Sequence, residues 1–378
     1  MGLEGAGFET IGTIEIDKRA RATISANRPT WRQVGSGDVV ALADAPGDLG
    51  VDRRELDVLA GGPPCQPFSM AAQWNSSSRM GMTDARAQTV VATMKLVGVL
   101  LPKYVMLENV AGFISGASSA LPYIQSALQD IRLTTKTQYR VEHRTINAAD
   151  FGVPQNRKRV VVILVRDDMD WDWPTPTHVE RPVTAWDALG GLIGENPPTR
   201  QGNWTTLLES IPEGWNYQWL TSRGGGQEVF GYRTKYWNFL LKLARDKPSW
   251  TLAASPGPST GPFHWDNRPL SSSEMKRLQS IPDSWTLTGS YREQVKQIGN
   301  ATPSLLAQAM GKQLATKMGM TPSEGLRPFD RRDDCPSPTQ PKAIPAHFEQ
   351  LVGAKNAHAG EGKGPSPRLD RKASVVPA

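Results

Sequence analysis

One cysteine stands where a nucleophile could work. Cys65 follows an apolar run at residues 56–60, on the turn Gly61-Gly62-Pro63-Pro64. The thiolate is the reactive form of such a group, and a free thiol with a pKa near ~8.5 is only a few per cent ionised at pH 7. Two prolines stiffen the loop and two glycines let it turn tightly, which could hold a sulfur still in a cleft. Taken alone, the position suits a small buried cysteine beside a turn better. Glu108 follows a second apolar run at 104–107, where a carboxyl could move protons, cap a helix or face solvent. Gln155-Asn156-Arg157-Lys158-Arg159 precedes a third run at 160–165. Extended spacing puts Gln155, Arg157 and Arg159 on one face, able to grip a carboxylate, a phosphate or a base carbonyl. A solvated basic edge is the plainer account of those three by themselves. Glu15 and Asp17 close a segment at 9–16 that reads as a strand, a place where an acid takes ribose hydroxyls.

These residues need elements to hold them. Residues 87–101 have helical apolar spacing through Val90, Val91, Met94, Val97 and Leu101. Residues 2–7 read as a helix end stopped by Gly5 and Gly7. Short apolar strands alternating with helices predict an α/β fold with a parallel sheet covered on both faces. Ligands of such sheets bind beyond the carboxyl ends of the strands, where Cys65 and Glu108 fall. After Asp168 the pattern changes: ten of the twelve tryptophans lie in residues 171–285. Helical periodicity returns at 273–279 and 303–317. From 321 onward the chain is rich in Pro, Gly and charge, which predicts a disordered tail.

Composition narrows the field. The 378 residues carry a formal net charge of +6 and a pI near 9.3, compatible with a polyanionic partner but weak evidence alone. No apolar run approaches the roughly 18 residues of a spanning helix, and the first residues do not read as a secretory signal. The two cysteines, Cys65 and Cys335, lie in unlike settings, and five scattered histidines show no ligand spacing, so neither a disulfide framework nor a metal site is expected. A reducing, cytoplasmic setting follows as the expectation.

Read in order, the motifs resemble those of the DNA (cytosine-5) methyltransferases of bacterial type. GGPPCQPFS at 61–69 is similar to the family's catalytic loop, Glu108-Asn109-Val110 to its ENV element, and Gln155-x-Arg157-x-Arg159 to its QxRxR element. Arg268-Pro269-Leu270, Arg277-Leu278-Gln279, Pro282-Asp283 and Gln297-Ile298-Gly299-Asn300-Ala301-Thr302-Pro303 resemble its late elements, so the likeness covers about residues 2–318. It implies a Rossmann-like fold dependent on S-adenosylmethionine. The catalytic domain would occupy 1–170, an inserted target-recognition domain 171–250, the return to the catalytic domain 251–320, and the tail 321–378.

For the site, the resemblance implies that Cys65 attacks carbon 6 of a cytosine swung out of duplex DNA. Glu108 would hydrogen-bond or protonate ring nitrogen 3. Arg159 would contact the base carbonyl and steady Glu108, and Arg157 would support the loop or a phosphate. Glu15 would bind the cofactor's ribose and Asp38 with Val39 its adenine, while Pro64, Thr89 and Asn300 line its methionine side. Gln66, Ser69, Arg223, Arg233, Lys235 and Trp237 are the expected DNA contacts. The expected protein is a nucleoid-associated monomer acting on double-stranded DNA, as an orphan or beside a separate restriction endonuclease. The family normally opens with a strand and an F-x-G-x-G-G loop. This chain starts in the helix that follows, so that strand and loop are expected to be missing. Two readings then stand: an enzyme whose start lies upstream, or a catalytically silent DNA-binding homologue. An RNA substrate is a third.

Overall fold

The computed structural model describes residues 1–68, 82, 84–192, 198–199, 202–232, 236–350 and 352. Its centre is a four-stranded sheet of β1 (Val58–Gly61), β2 (Tyr104–Asn109), β3 (Tyr139–Asn147) and β5 (Lys158–Arg166), in the order β1-β2-β5-β3. A two-stranded ladder joins β4 (Gln155–Asn156) to β6 (Ser249–Trp250) in parallel. β1 and β2 are parallel and linked by α4 (Gln88–Leu100), a crossover long enough to return the chain in the same direction.

The sheet is mixed, which corrects the expectation of a parallel one. β5 runs antiparallel to both β2 and β3. Only residues 148–157 separate β3 from β5, too few for a crossover of a dozen or more residues.

Alternation along the strands covers both faces. Val105, Leu107, Val160, Val162 and Leu164 point to one side, against α4 and α5 (Leu121–Thr135) through Val90, Met94, Val97, Ile124 and Leu128. Tyr104, Met106, Val161, Ile163 and Val165 point to the other, against Leu305, Leu306, Met310 and Leu314 of α9 (Ser304–Lys317). Each such aliphatic side chain contributes roughly 1.5–3 kcal/mol when fully buried. Helix ends are fixed locally. α4 closes on Leu101 in the left-handed region, ahead of Pro102, and α7 (Ser272–Leu278) and α8 (Tyr291–Asn300) both open with Ser–Glu capping boxes.

Two other expectations are corrected. Residues 9–16 form no strand: Thr13 alone bridges Gln33, and a neighbour offering one bridge cannot extend a ladder. Asp17 instead caps α2 (Lys18–Asn27), accepting from the backbone of Arg19 and Ala20. Residues 321–350 do not behave as a disordered tail. They lie against the body and end in α10 (Ala346–Glu349), with Ile344 and Phe348 buried. Both belong to a second core, with Leu207, Leu208, Tyr217, Leu220 and Phe230, that forms a small lobe beside the sheet.

Candidate active site

The register of the strands assembles the site. Gly61 pairs with Leu107, which brings the turn after β1 beside Glu108 near the end of β2. Because β5 is antiparallel, its start lies at the same edge, and Arg159 there reaches Glu108. The Cys65 turn is pinned at both ends. Asn109 donates from Nδ2 to the Pro63 carbonyl at 3.0 Å. Phe68 donates its amide to the Cys65 carbonyl at 2.9 Å, and its ring is buried edge-on against Phe113 with centroids 5.0 Å apart. Cys65 itself is half-buried.

Glu108 lies within this cluster. Arg159 Nε stands 3.0 Å from Glu108 Oε1, and the two side chains are 15% and 14% exposed. The contact is off-line, so Oε1 is a buried acceptor with no aligned donor. Burial raises the Glu108 pKa above the usual carboxyl value, opposed by Arg159 and Arg157 and by the nearby Thr302 side chain. Arg157 is buried among backbone carbonyls, donating from Nη2 to Gly299 at 2.8 Å and from Nη1 to Leu252 at 3.4 Å. Burial lowers its pKa, yet a guanidinium stays charged at neutral pH. At 2% exposure Arg157 spends these donors on the backbone of two other segments. Arg157 and Arg86 lie within electrostatic reach of the Cys65 sulfur.

A polar hub missed in the sequence holds these segments together. Gln155 donates to Gln279 Oε1 at 2.6 Å and to the Leu278 carbonyl at 3.1 Å, and its own carbonyl accepts from Leu252 N at 3.1 Å. Gln279 in turn donates to the Ala301 carbonyl at 2.5 Å, next to Thr302. Gln155, Gln279 and Thr302 all sit inside motifs the sequence singles out. Nothing in the spacing says that the two glutamines meet, since 124 residues separate them.

The cofactor candidates are distributed more loosely. Gly37, with φ +84°, lies so near the Glu15 carbonyl that a Cβ would sit 1.9 Å from it, which places Asp38 close to Glu15. Glu15 Oε1 accepts from Asp17 N at 2.7 Å, and Asp38 Oδ1 from Val40 N at 2.9 Å. Their second oxygens take no hydrogen bond among the described residues. Two half-buried acids, each with one open acceptor, fit a ligand bearing hydroxyl and amine donors. Gly61 and Gly62 keep ordinary backbone angles, and nothing among the described residues comes closer than 3.7 Å to a Cβ built there. Nothing among the described residues demands glycine at either, which leaves room beside them for the close approach of a bound group. Val39 opens α3 (Val39–Asp44), Asn300 is exposed at the end of α8, and the Thr89 hydroxyl turns back to the Arg86 carbonyl at 2.9 Å.

Of the expected DNA contacts, Gln66 is exposed on the Cys65 turn. Arg223 is exposed and lies over the Tyr232 ring at 3.6 Å, and Trp237, 45% exposed, packs edge-on against Trp250. Ser69, Arg233 and Lys235 fall outside the described residues. Among the described residues no helix is long and apolar enough to cross a membrane.

Known proteins share the family and the fold of this chain. A model of the C-5 cytosine-specific DNA methylase family matches residues 1–316. The type II methyltransferase M.SacI of Streptomyces achromogenes is 33% identical, over 85% of this chain and 87% of that protein. M.Sau96I of Staphylococcus aureus is 32% identical, over 83% of this chain and 72% of that one. The fold also resembles that of an Entamoeba histolytica methyltransferase, with a TM-score of 0.56 at 15% identity, over 84% of this chain and 95% of that one. The chain belongs to the C-5 cytosine-specific DNA methylase family, whose members are S-adenosylmethionine-dependent DNA cytosine-5 methyltransferases.

Proposed function

We propose that this chain methylates carbon 5 of a cytosine in a specific duplex sequence through a covalent Cys65 adduct, as the modification enzyme of a restriction–modification pair or as an orphan. One observation carries the reading: Cys65, Glu108, Arg157 and Arg159, from three separate stretches of sequence, converge at one edge of the sheet.

Cytosine carbon 5 is a weak nucleophile. The Cys65 thiolate forms a bond to carbon 6, and the electron pair of the 5,6 double bond moves toward carbon 5. Glu108, whose pKa burial raises, donates to ring nitrogen 3 and draws charge away from the ring. Arg159 contacts the base carbonyl and holds Glu108. S-adenosylmethionine, when bound by Glu15, Asp38, Val39 and the Pro64 turn, supplies an electrophilic methyl group. Carbon 5 would take that methyl as its bond to the sulfonium sulfur breaks and a neutral thioether leaves; carbon 5 then gives its proton to a base, the electrons restore the double bond, and the carbon 6–sulfur bond breaks to release the thiolate. Carbon 6 is out of reach in stacked DNA, so the cytosine must swing out of the helix. We assign recognition to residues 171–250, with Arg223, Arg233, Lys235 and Trp237 as contacts, and Gln66 and Ser69 to the DNA beside the target. The enzyme would act as a monomer.

Labelled methyl transfer to duplex DNA, with Cys65→Ala beside the unaltered chain, tests the reading. Transfer by the unaltered chain and none by the variant is expected. Transfer that survives Cys65→Ala removes the nucleophile assignment. DNA binding without any transfer supports a silent homologue instead.

A further inference from the structure

Residues 321–350 cross both lobes as an extended strap, and all of it lies beyond the family match. At the large lobe, Gln308 and Leu326 exchange two hydrogen bonds of 2.8 and 2.6 Å, and Phe329 lies against the Arg277 guanidinium. Midway, Arg332 N donates to Asp187 Oδ1 at 2.8 Å and Trp186 Nε1 to Asp334 Oδ1 at 3.0 Å. At the small lobe, Lys342 meets Glu209 through backbone and side chain at 2.8 and 2.9 Å, and Ser210 donates to the Ala343 carbonyl at 3.0 Å. The strap then inserts Phe348, which has no exposed surface and stacks on Trp204 at 5.5 Å and 18°. Trp204 also lines a cavity of 650 Å³ together with Tyr236, Trp237 and Phe239.

We propose that Phe348 is a positioning residue for DNA recognition: the strap carries it into the small-lobe core, where it fixes Trp204 and so the exposed Tyr236–Trp237 face. The small-lobe aromatic cluster holds Trp204 between Phe230, Phe239 and Phe348. Without Phe348 that ring loses its stacked face, and interiors tolerate such a void only by shifting neighbours. The lobe would then spend part of its time in other arrangements, and apparent DNA affinity would fall in proportion to the fraction that remains competent. The chemistry at Cys65 sits on the sheet and would proceed normally once DNA is bound. This inference rests on the assignment of the small lobe to DNA.

Phe348→Ala and Phe348→Leu in the full chain test it, with hydrogen exchange across residues 204–240, DNA affinity, KM and kcat measured for each. If about a tenth of Phe348→Ala molecules keep the competent arrangement, exchange rises, Kd and KM for DNA rise about tenfold, and kcat at saturating DNA stays within about twofold. Phe348→Leu should recover most of the loss. Unchanged exchange in Phe348→Ala overturns the strap's role. Raised exchange with unchanged DNA affinity overturns instead the assignment of this lobe to DNA. A kcat that falls as far as affinity, with cofactor binding lost, marks general unfolding and also counts against positioning. Should Phe348→Ala fail to fold, Lys342→Met with Ser210→Ala loosens the strap and leaves the aromatic core whole. That variant should show the same KM effect at about twofold, and none would overturn the proposal.

Discussion

Arg159 brings its Nε to 3.0 Å from Glu108 Oε1 without aligning a hydrogen bond, leaving a charge contact around a buried acceptor. Burial is the largest influence on Glu108 and raises its pKa, while the two arginines and Thr302 oppose it. The native state therefore favours the protonated acid more than the unfolded chain does. The sign follows from linkage: this contribution to stability is whole below the unfolded value near 4.5 and is lost as pH rises through the higher folded value. Glu108→Gln cannot ionise. Its melting temperature relative to the unaltered enzyme should rise between pH 4 and pH 8, while kcat drops by about 10²–10⁴. A melting difference that stays flat with pH would show that burial does not control this carboxyl.

Removal of Arg159 tests the same pair from the other side. Arg159→Met takes away a positive charge that favours the Glu108 carboxylate. The alkaline limb of the kcat profile, where the acid loses its proton, should move to higher pH. Leaving a buried acid without its partner costs up to about 3–5 kcal/mol, visible in urea unfolding at pH 8 and smaller at pH 4, where the acid is neutral. An alkaline limb that stays in place, or moves down, contradicts the assignment of Glu108 as the titrating acid.

The site was far more legible in the sequence than the sheet that holds it. Cys65, Glu108 and Arg159 stand in motifs whose order picks them out as candidates before any strand is placed. The direction of β5 is not legible that way, since a run such as Val160–Val165 is apolar on both faces whichever way it points. Yet direction is what matters here. A parallel β5 would carry Arg157 and Arg159 to the edge opposite Cys65, whereas the antiparallel strand returns them to it. The strap was hidden for another reason. Residues 321–350 are mostly polar, and their packed apolar side chains, Leu326, Phe329, Ile344 and Phe348, are too few to give a periodic signal. Buried amide pairs such as Gln155–Gln279 follow from tertiary approach alone.

That pair carries its own prediction. Gln279 accepts from Gln155 and donates to the Ala301 carbonyl beside Thr302, so Gln279→Ala leaves two buried groups short of a partner. Destabilisation of about 1–3 kcal/mol is expected. Thr302 favours the Glu108 carboxylate, so its displacement should also raise that pKa and move the alkaline limb of the kcat profile to higher pH. A stability loss with an unaltered pH profile would confine Gln279 to structure.

Glu15 and Asp17 are neighbours with separate duties. Asp17 is engaged with Lys296 Nζ at 2.7 Å and caps α2, while Glu15 keeps one oxygen open. Glu15→Gln should weaken S-adenosylmethionine binding about tenfold in calorimetry, near 1.4 kcal/mol, with little change in melting. Asp17→Asn should do the reverse, lowering stability by up to about 1 kcal/mol through the loss of a negative charge at the start of α2 and of an exposed ion pair with Lys296. Equal effects of the two on cofactor affinity would refute the division.

Salt dependence separates the arginines that meet phosphates from those that hold the fold. Each phosphate neutralised by a bound cation releases counterions and steepens the fall of log K with log salt by about 0.9. Arg223 is exposed on the small lobe, whereas Arg157 is buried and spends its donors on Gly299 and Leu252. Arg223→Ala should therefore flatten the slope by about one phosphate and weaken binding to all sequences alike. Arg157→Met should lower stability and methyl transfer while leaving the slope of the folded fraction as it was. A flattened slope in Arg157→Met would mean that the strand start opens when DNA binds, bringing that guanidinium to the backbone.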